Sequence, residues 1–255
     1  MKVSRSLLII ISALLVSLSM VAATRAQQTA SPSPGKIVQQ MCDYLKSLHQ
    51  FSYHAEVIYD AVEADGKKVR HAFTMETYVR RPDRLRVDAA GDVINKQFFF
   101  DGKTITLYDK NSHVYATMDV PPDIEDALDK AQKDFNLRVA LSDLASPKLY
   151  EHLSPGLAGA RNLGIEKVRG VPSHHLAIDR PEAQLELWVD AGQKPLLRKV
   201  VIVEKNPPLS PTWTAYLDKW NSSPRIDDNK FTFVLPSGVK KIEFIPVQHA
   251  AAPGK

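Results

Sequence analysis

The sequence predicts an α+β fold in which one large antiparallel sheet carries helices against one of its faces. Three observations lead there. Two long blocks alternate apolar and polar residues with the period of two that marks half-buried strands. Short turn signals, among them Asp65-Gly66 and Asp101-Gly102, separate the strands, so neighbours in sequence pair as hairpins. Helical periodicity occurs before the first block and again between the two.

The first element is a helix. From Ile37 apolar residues recur at Met41, Leu45 and Leu48, one face of a 3.6-residue turn, and Ser33-Pro34 supplies a start signal. Phe51, Tyr53, Ala55, Val57, Tyr59 and Ala61 then alternate with Ser52, His54, Glu56, Ile58 and Asp60 as a long strand. After the Asp65-Gly66 turn the alternation resumes through Val69, His71, Phe73, Met75, Thr77 and Val79. Leu85, Val87 and Ala89 form a third strand and Phe98-Phe99-Phe100 a fourth. T-I-T-L-Y from Thr104 and H-V-Y-A-T-M from His113 complete a meander rich in β-branched and aromatic residues.

Pro121-Pro122 stops the sheet, and Asp123 can cap a helix whose face is Ile124, Leu128, Ala131 and Phe135. Leu137 to Leu144 is read as a second helical segment, and residues 154–163 as a loop. Strands return at Gly164–Val168, His174–Ile178, Leu185–Val189, Leu196–Val203, Trp213–Leu217 and Phe231–Phe233. A sheet this large must curl or close.

The N-terminus reads as a secretory signal peptide. Lys2 and Arg5 precede a 16-residue apolar run from Leu7 through Ala22, and small residues follow. The run is short of the ~20 residues that span a bilayer, so cleavage is expected after Ala23 or Ala26. The expected organisation is residues 1–26 as signal peptide, 27–35 as a flexible mature N-terminus, 36–247 as one domain and 248–255 as a disordered tail. Cleavage after Ala26 removes Lys2, Arg5 and Arg25, and the net charge falls from +4 to +1. A chain so near neutrality offers nucleic acid no global electrostatic footprint. The single cysteine, Cys42, cannot form an intramolecular disulfide and reads as a small buried hydrophobe.

Catalytic signatures are missing: the sequence has no G-x-S-x-G elbow, Walker loop, G-x-G-x-x-G, H-E-x-x-H or C-x-x-C. The adjacent His174-His175 would point to opposite faces of a strand and cannot easily chelate one metal. Asp60, Glu63, Asp65 and Glu76 surround the first hairpin and read as a solvated face. No catalytic residue, metal or cofactor is therefore expected, and the chain is not read as an enzyme.

Residues 78–88, Y-V-R-R-P-D-R-L-R-V-D, put four arginines within seven positions. Alternation places Arg84 and Arg86 on one face and Leu85 and Val87 on the other, while Arg80 and Arg81 sit at a strand end before Pro82. Asp83 and Asp88 bracket the charges, and no aromatic is read on the polar side to stack bases. The stretch is thus not a nucleic-acid grip, and Arg84 and Arg86 are expected to meet solvent. The strands also supply Tyr53, Tyr59, Phe73, Met75, Leu85, Val87, Phe98, Phe100, Leu107, Tyr115, Leu187, Trp213 and Leu217. Such residues either fill the core beneath the helices or line a cavity.

The order of motifs carries a resemblance. L-K-S-L-H-Q-F leads into the first strand, followed by Y-V-R-R-P-D-R-L-R-V, F-D-G-K-T-I-T-L-Y-D and, near the end, N-K-F-T-F-V-L-P-S-G-V. Over residues 36 to about 245 this resembles the periplasmic carriers of the bacterial lipoprotein-localisation pathway (LolA-like). It resembles still more closely their relatives, a family described as predicted periplasmic protein. The resemblance implies an unclosed β-barrel with helices covering its concave face and an apolar cavity that takes acyl chains. It also implies that Arg81, before the motif Pro82, holds a helical lid by hydrogen bonds to its backbone, for which a fork of donors is suited. Leu85 and Val87 would face the cavity, lined further by Tyr53, Phe73, Met75, Phe98, Phe100, Leu107, Tyr115, Leu187 and Trp213. The chain departs from the carriers in its greater length and in a heavier W-V-D…P-L-L-R-K-V hairpin.

The expectation is a monomeric periplasmic carrier or binding protein for a lipid, a lipoprotein acyl chain or another apolar ligand, transferred non-covalently by lid opening. Its expected partners are lipid or lipoprotein acyl chains, with envelope membrane proteins as further candidates and without nucleic acid. The alternative is an envelope structural or regulatory protein that binds a protein partner with the same fold.

Overall fold

The computed structural model describes residues 32–205 and 209–247. The expected signal peptide, both cleavage sites, residues 27–31 and the 248–255 tail lie outside the described residues.

Helix α1 (Pro34–Ser47) starts on Ser33, whose hydroxyl accepts from the Lys36 amide at 3.4 Å, with Pro34 in the first turn. Its buried stripe is Ile37, Val38, Met41, Cys42 and Leu45. Strands β1 (Gln50–Val62), β2 (Lys68–Arg80), β3 (Arg84–Gly91), β4 (Asn95–Phe100), β5 (Thr104–Asp109) and β6 (Val114–Asp119) form the antiparallel meander that the alternation predicts. Asp123 caps helix α2 (Ile124–Phe135) by accepting from the Glu125 amide at 2.8 Å. A short helix α3 (Leu149–Leu153) follows. A second antiparallel run comprises β7 (Arg161–Val168), β8 (Val171–Asp179), β9 (Ala183–Asp190), β10 (Leu197–Glu204) and β11 (Thr212–Asn221).

All strands belong to one sheet of order β12-β6-β5-β4-β3-β2-β1-β11-β10-β9-β8-β7, where β12 is Lys240–Lys241. The two meanders meet at β1, whose Val57 faces Phe73 on β2 and Ala215 on β11. The end strands β12 and β7 do not pair, so the sheet is unclosed.

The helices share a single apolar core with one face of this sheet. Ile37, Met41 and Leu45 of α1 and Ile124, Ala127 and Ala131 of α2 pack with Phe51, Tyr53, Leu85, Phe100 and Leu187 from the strands. Full burial of a side chain the size of Leu85 or Phe100 contributes about 1.5–3 kcal/mol. The apolar stripe, more than helix propensity, therefore fixes α1 and α2 in place.

The sequence reading needs four corrections. The sheet is mixed, because β12 runs parallel to β6; a two-residue strand carries no alternation to detect. Leu137 to Leu144 is irregular: Asn136 ends α2 with φ 51°, Leu141 has φ 61°, and only a 3-10 turn at Ser142–Ala145 follows. Phe231–Phe233 is not a strand but the end of a 3-10 turn (Asp228–Phe231) and its continuation. Strand β7 begins at Arg161, inside the expected loop.

Candidate functional site

Pairing register arranges the core face of β1 to β5 in rows. Phe51, Val79, Leu85, Phe100 and Ile105 make one row, and Tyr53, Thr77, Val87, Phe98 and Leu107 the next. Ala55, Met75, Ala89, Lys96 and Asp109 make the third. The first row is closed by α1 and the 3-10 turn. Above the second and third rows lies an apolar cavity of about 240 Å³. Its floor includes Phe73, Met75, Val87, Phe98 and Leu107, and its roof is the irregular segment Leu137, Arg138, Val139 and Ala140.

Arg81 closes the first row. Its Nη1 donates to the carbonyl oxygens of Leu45 at 2.9 Å and Leu48 at 2.6 Å, at the end of α1. Nε donates to Ala145 O at 3.0 Å and Nη2 to Leu144 O at 3.1 Å, in the 3-10 turn. Leu45 O also accepts from the Leu48 amide at 3.2 Å, so the planar fork supplements that cap, serves the other three carbonyls and ties two elements together. The cation also suits the negative end of the helix dipole and lies over the Phe51 ring, 5.1 Å from its centroid. Arg81 makes no ion pair among the described residues, and burial pulls its pKa down to about 10, which leaves it protonated at neutral pH. The Arg81–Pro82 peptide is cis, and Pro82 O accepts from the Ile124 amide at 2.9 Å, which anchors the start of α2.

Two further ties hold the 136–148 segment. The buried Tyr53 hydroxyl donates to Leu141 O at 3.3 Å. The Glu125 carboxylate accepts from Ser146 Oγ and Lys148 Nζ, both at 2.6 Å. Burial works against ionisation of Glu125, but the bonds from Lys148 and Ser146 outweigh it and hold the carboxyl below its usual range. Sequence reading missed this pair, because Glu125 and Ser146 lie 21 residues apart with no shared period.

Of the residues expected to line a cavity, Phe73, Met75, Val87, Phe98 and Leu107 do so. Tyr53, Leu85, Phe100 and Leu187 are instead packed core, at most 2 % exposed, and Trp213 is a half-buried residue at the core margin of β11. Tyr115 is a correction of a different kind: it lies on the opposite face of the sheet, its ring centroid 5.1 Å from that of Phe233. The inward residue of β6 is the small Ala116, opposite Leu107. Among the lining residues that the sequence reading missed, Lys96 and Arg138 are the charged ones. Lys96 could have been found, since it precedes the inward Phe98 by two positions.

The opposite face corrects the reading of the arginine stretch. Arg80, Arg84 and Arg86 all project there, and the chain from Arg225 to Phe233 packs over it. Arg86 donates to Lys230 O at 3.0 Å and sits 4.7 Å from the Phe99 centroid, with its side chain only 17 % exposed. Arg80 donates to Ile226 O at 3.2 Å, pairs with Asp228 and lies over Phe231. Arg84 pairs with Asp83 at 2.7 Å. Phe99, Tyr78, Phe231 and Phe233 supply aromatics on the side where none was read. The four arginines therefore divide three to one: three lie on the strap side and Arg81 alone reaches the helices.

His174 and His175 do face opposite ways. His174 borders a second, more polar cavity of about 370 Å³ with Gln40, Asp43 and Tyr44 of α1, whose polar walls are unsuited to acyl chains. His175 stacks on Trp188 and lies between Glu166 and Glu186, 3.0 and 2.9 Å from its two ring nitrogens. Among the described residues no group of three or more His, Cys, Asp or Glu side chains is arranged to hold a metal ion. Cys42 is buried, and that burial pushes its thiol up to about 12.

Fold and site together define an open-sheet α+β domain with a roofed apolar cavity. The chain belongs to the family described as predicted periplasmic protein (DUF2092), whose model matches residues 35–245. Periplasmic is also the compartment read from residues 1–26, and no helix among the described residues is long and apolar enough to cross a membrane. Among curated proteins no match is found. Solved structures similar to it include lipoprotein LppX of Mycobacterium tuberculosis, at 15% identity and TM-score 0.47 over 76% of this chain and 97% of that one. An uncharacterised conserved protein of Thermus thermophilus has 8% identity and TM-score 0.47 over 82% and 97% of the two chains. A LolA superfamily protein of Nitrosomonas europaea has 8% identity and TM-score 0.35 over 80% and 99%.

Proposed function

We propose that the protein is a periplasmic carrier or binding protein for an apolar, acyl-type ligand, which enters and leaves by movement of the 136–148 segment. The observation that carries this reading is the apolar cavity beneath Leu137–Ala140, beside a segment that Arg81 fastens to α1. Burial of a chain there contributes about 0.8 kcal/mol per CH2. The four hydrogen bonds of Arg81, worth about 1.5–3 kcal/mol each to a charged donor, are offset by roughly 8–15 methylenes, so one acyl chain matches the latch in strength. No covalent step and no cofactor enters this function.

The test is to fill the cavity. Ala89, which lines it, is half-buried in β3. Ala89→Phe should retain the circular dichroism of the parent and lose uptake of a fluorescent acyl probe. Undiminished uptake in a folded variant would exclude this cavity as the site.

A second reading, an envelope protein that binds a protein partner, is favoured by β7. That strand ends the sheet, so one of its backbone edges has no strand partner among the described residues, and Leu163 and Ile165 on it are exposed.

A further inference from the structure

The walls of the apolar cavity carry two charges, and both are positive: Lys96 and Arg138. Their placement follows from the rows described above. Along β4, Phe100, Phe98 and Lys96 project to the same face, so the chain from Arg81 outwards meets two aromatic rows and then an ammonium group. Lys96 stands in the third row with Met75 and Ala89, one row inside Phe73, with its side chain 45 % exposed. The facing carboxylate, Asp109, is 3.5 Å away, and its other oxygen already accepts from the Asn111 and Ser112 amides. Arg138 comes from the roof, is exposed and makes no hydrogen bond or ion pair among the described residues; Asp134, four positions before it, accepts from Lys130 at 2.6 Å.

The cavity therefore has an apolar interior, closed at the Arg81 end, and a rim where two cations face one partly engaged carboxylate. We propose that it takes a single-chain amphiphile with one anionic head group, the tail over Phe98 and Leu107 and the head at Arg138 and Lys96. This deepens the carrier reading and rests on it. The volume of about 240 Å³ is below the ~300–1,000 Å³ usual for ligand pockets and suits one chain rather than two. A guanidinium fork matches a carboxylate or phosphate in two parallel bonds, and charge-assisted bonds are about twice as strong as neutral ones. Such a rim selects by charge, while the interior selects by chain.

The test compares four amphiphiles of equal chain length, below their micelle concentrations, by calorimetric titration of the mature protein: dodecanoate, dodecyl phosphate, dodecanol and dodecyltrimethylammonium. The anions should bind at least tenfold more tightly than dodecanol, and the quaternary ammonium most weakly. The tighter of the two anions then names the head group. In Arg138→Gln/Lys96→Gln the preference should vanish while dodecanol affinity is unchanged, which separates head-group recognition from loss of folding. Raised ionic strength should weaken anion binding in the parent only. Equal binding of dodecanoate and dodecanol by the parent, or an intact preference in the double variant, would overturn the head-group proposal and leave the carrier reading standing. Binding of none of the four would overturn both.

Discussion

Arg81 Nη1 lies 2.6 Å from the carbonyl oxygen of Leu48, and this bond joins the end of the first helix to the start of the motif that sequence singles out. The same guanidinium reaches Leu144 and Ala145, so one side chain spans α1, the β2–β3 corner and the 142–145 turn. Few other side chains have the reach and the donors for this. The position of the roof over the cavity thus depends on a residue that does not line it.

Replacing Arg81 tests that dependence. Arg81→Leu leaves carbonyls of both elements without their donor, at about 1–3 kcal/mol for each buried acceptor. Over the Leu48, Leu144 and Ala145 carbonyls this comes to about 3–9 kcal/mol, and even the lower end lowers Tm by roughly 6–12 °C in a chain of this size. Arg81→Lys should recover less than half of that, because a point charge cannot serve both elements. Dissociation of an acyl probe, followed by stopped flow, should accelerate in both. An unchanged dissociation rate would remove the latch role.

Phe231, fully buried beneath the strap, provides the contrast. Phe231→Ala should cost about 3–5 kcal/mol and release the 225–233 strap from Arg80 and Arg86. Probe dissociation should stay at the parent rate, because the strap and the cavity occupy opposite faces. Faster dissociation would show that the two faces are coupled.

Glu125 sets an acid limit. Its carboxyl titrates lower in the fold than in the unfolded chain, where the ordinary value is about 4.3. Its contribution is therefore complete above that value and is lost as pH falls through it towards the folded value. Urea unfolding of parent and Glu125→Gln should differ by a constant amount above about pH 5.5 and converge as pH falls below the ordinary carboxylate range. A difference that persists at acid pH would assign the effect to packing rather than to charge.

The first half of the fold is legible because the period of two survives in β1 to β3; in β4 and β5 both faces are covered, since Phe99 and Tyr108 pack against Phe233. That such residues line a cavity rather than fill a core is what the family resemblance implies; the period itself places only Phe73, Met75 and Val87 inward. It fails where both neighbours are apolar: Tyr115 and Ala116 offer no alternation, and the choice falls to pairing with Leu107. The strap is illegible for a related reason. Phe231-Thr232-Phe233 alternates like a strand, yet its two rings pack down onto Phe99, Tyr108 and the arginines without a strand partner. The roof has no period at all, since left-handed Leu141 and Asn136 break it, so Arg138 and the Glu125–Ser146 bond become visible only in three dimensions.

The most direct measurement is native mass spectrometry of the protein purified from periplasm without detergent, followed by organic extraction. The expected result is an added mass of a single acyl-chain ligand that extraction removes and that Ala89→Phe lacks. A parent protein that flies at the bare polypeptide mass would contradict the carrier function.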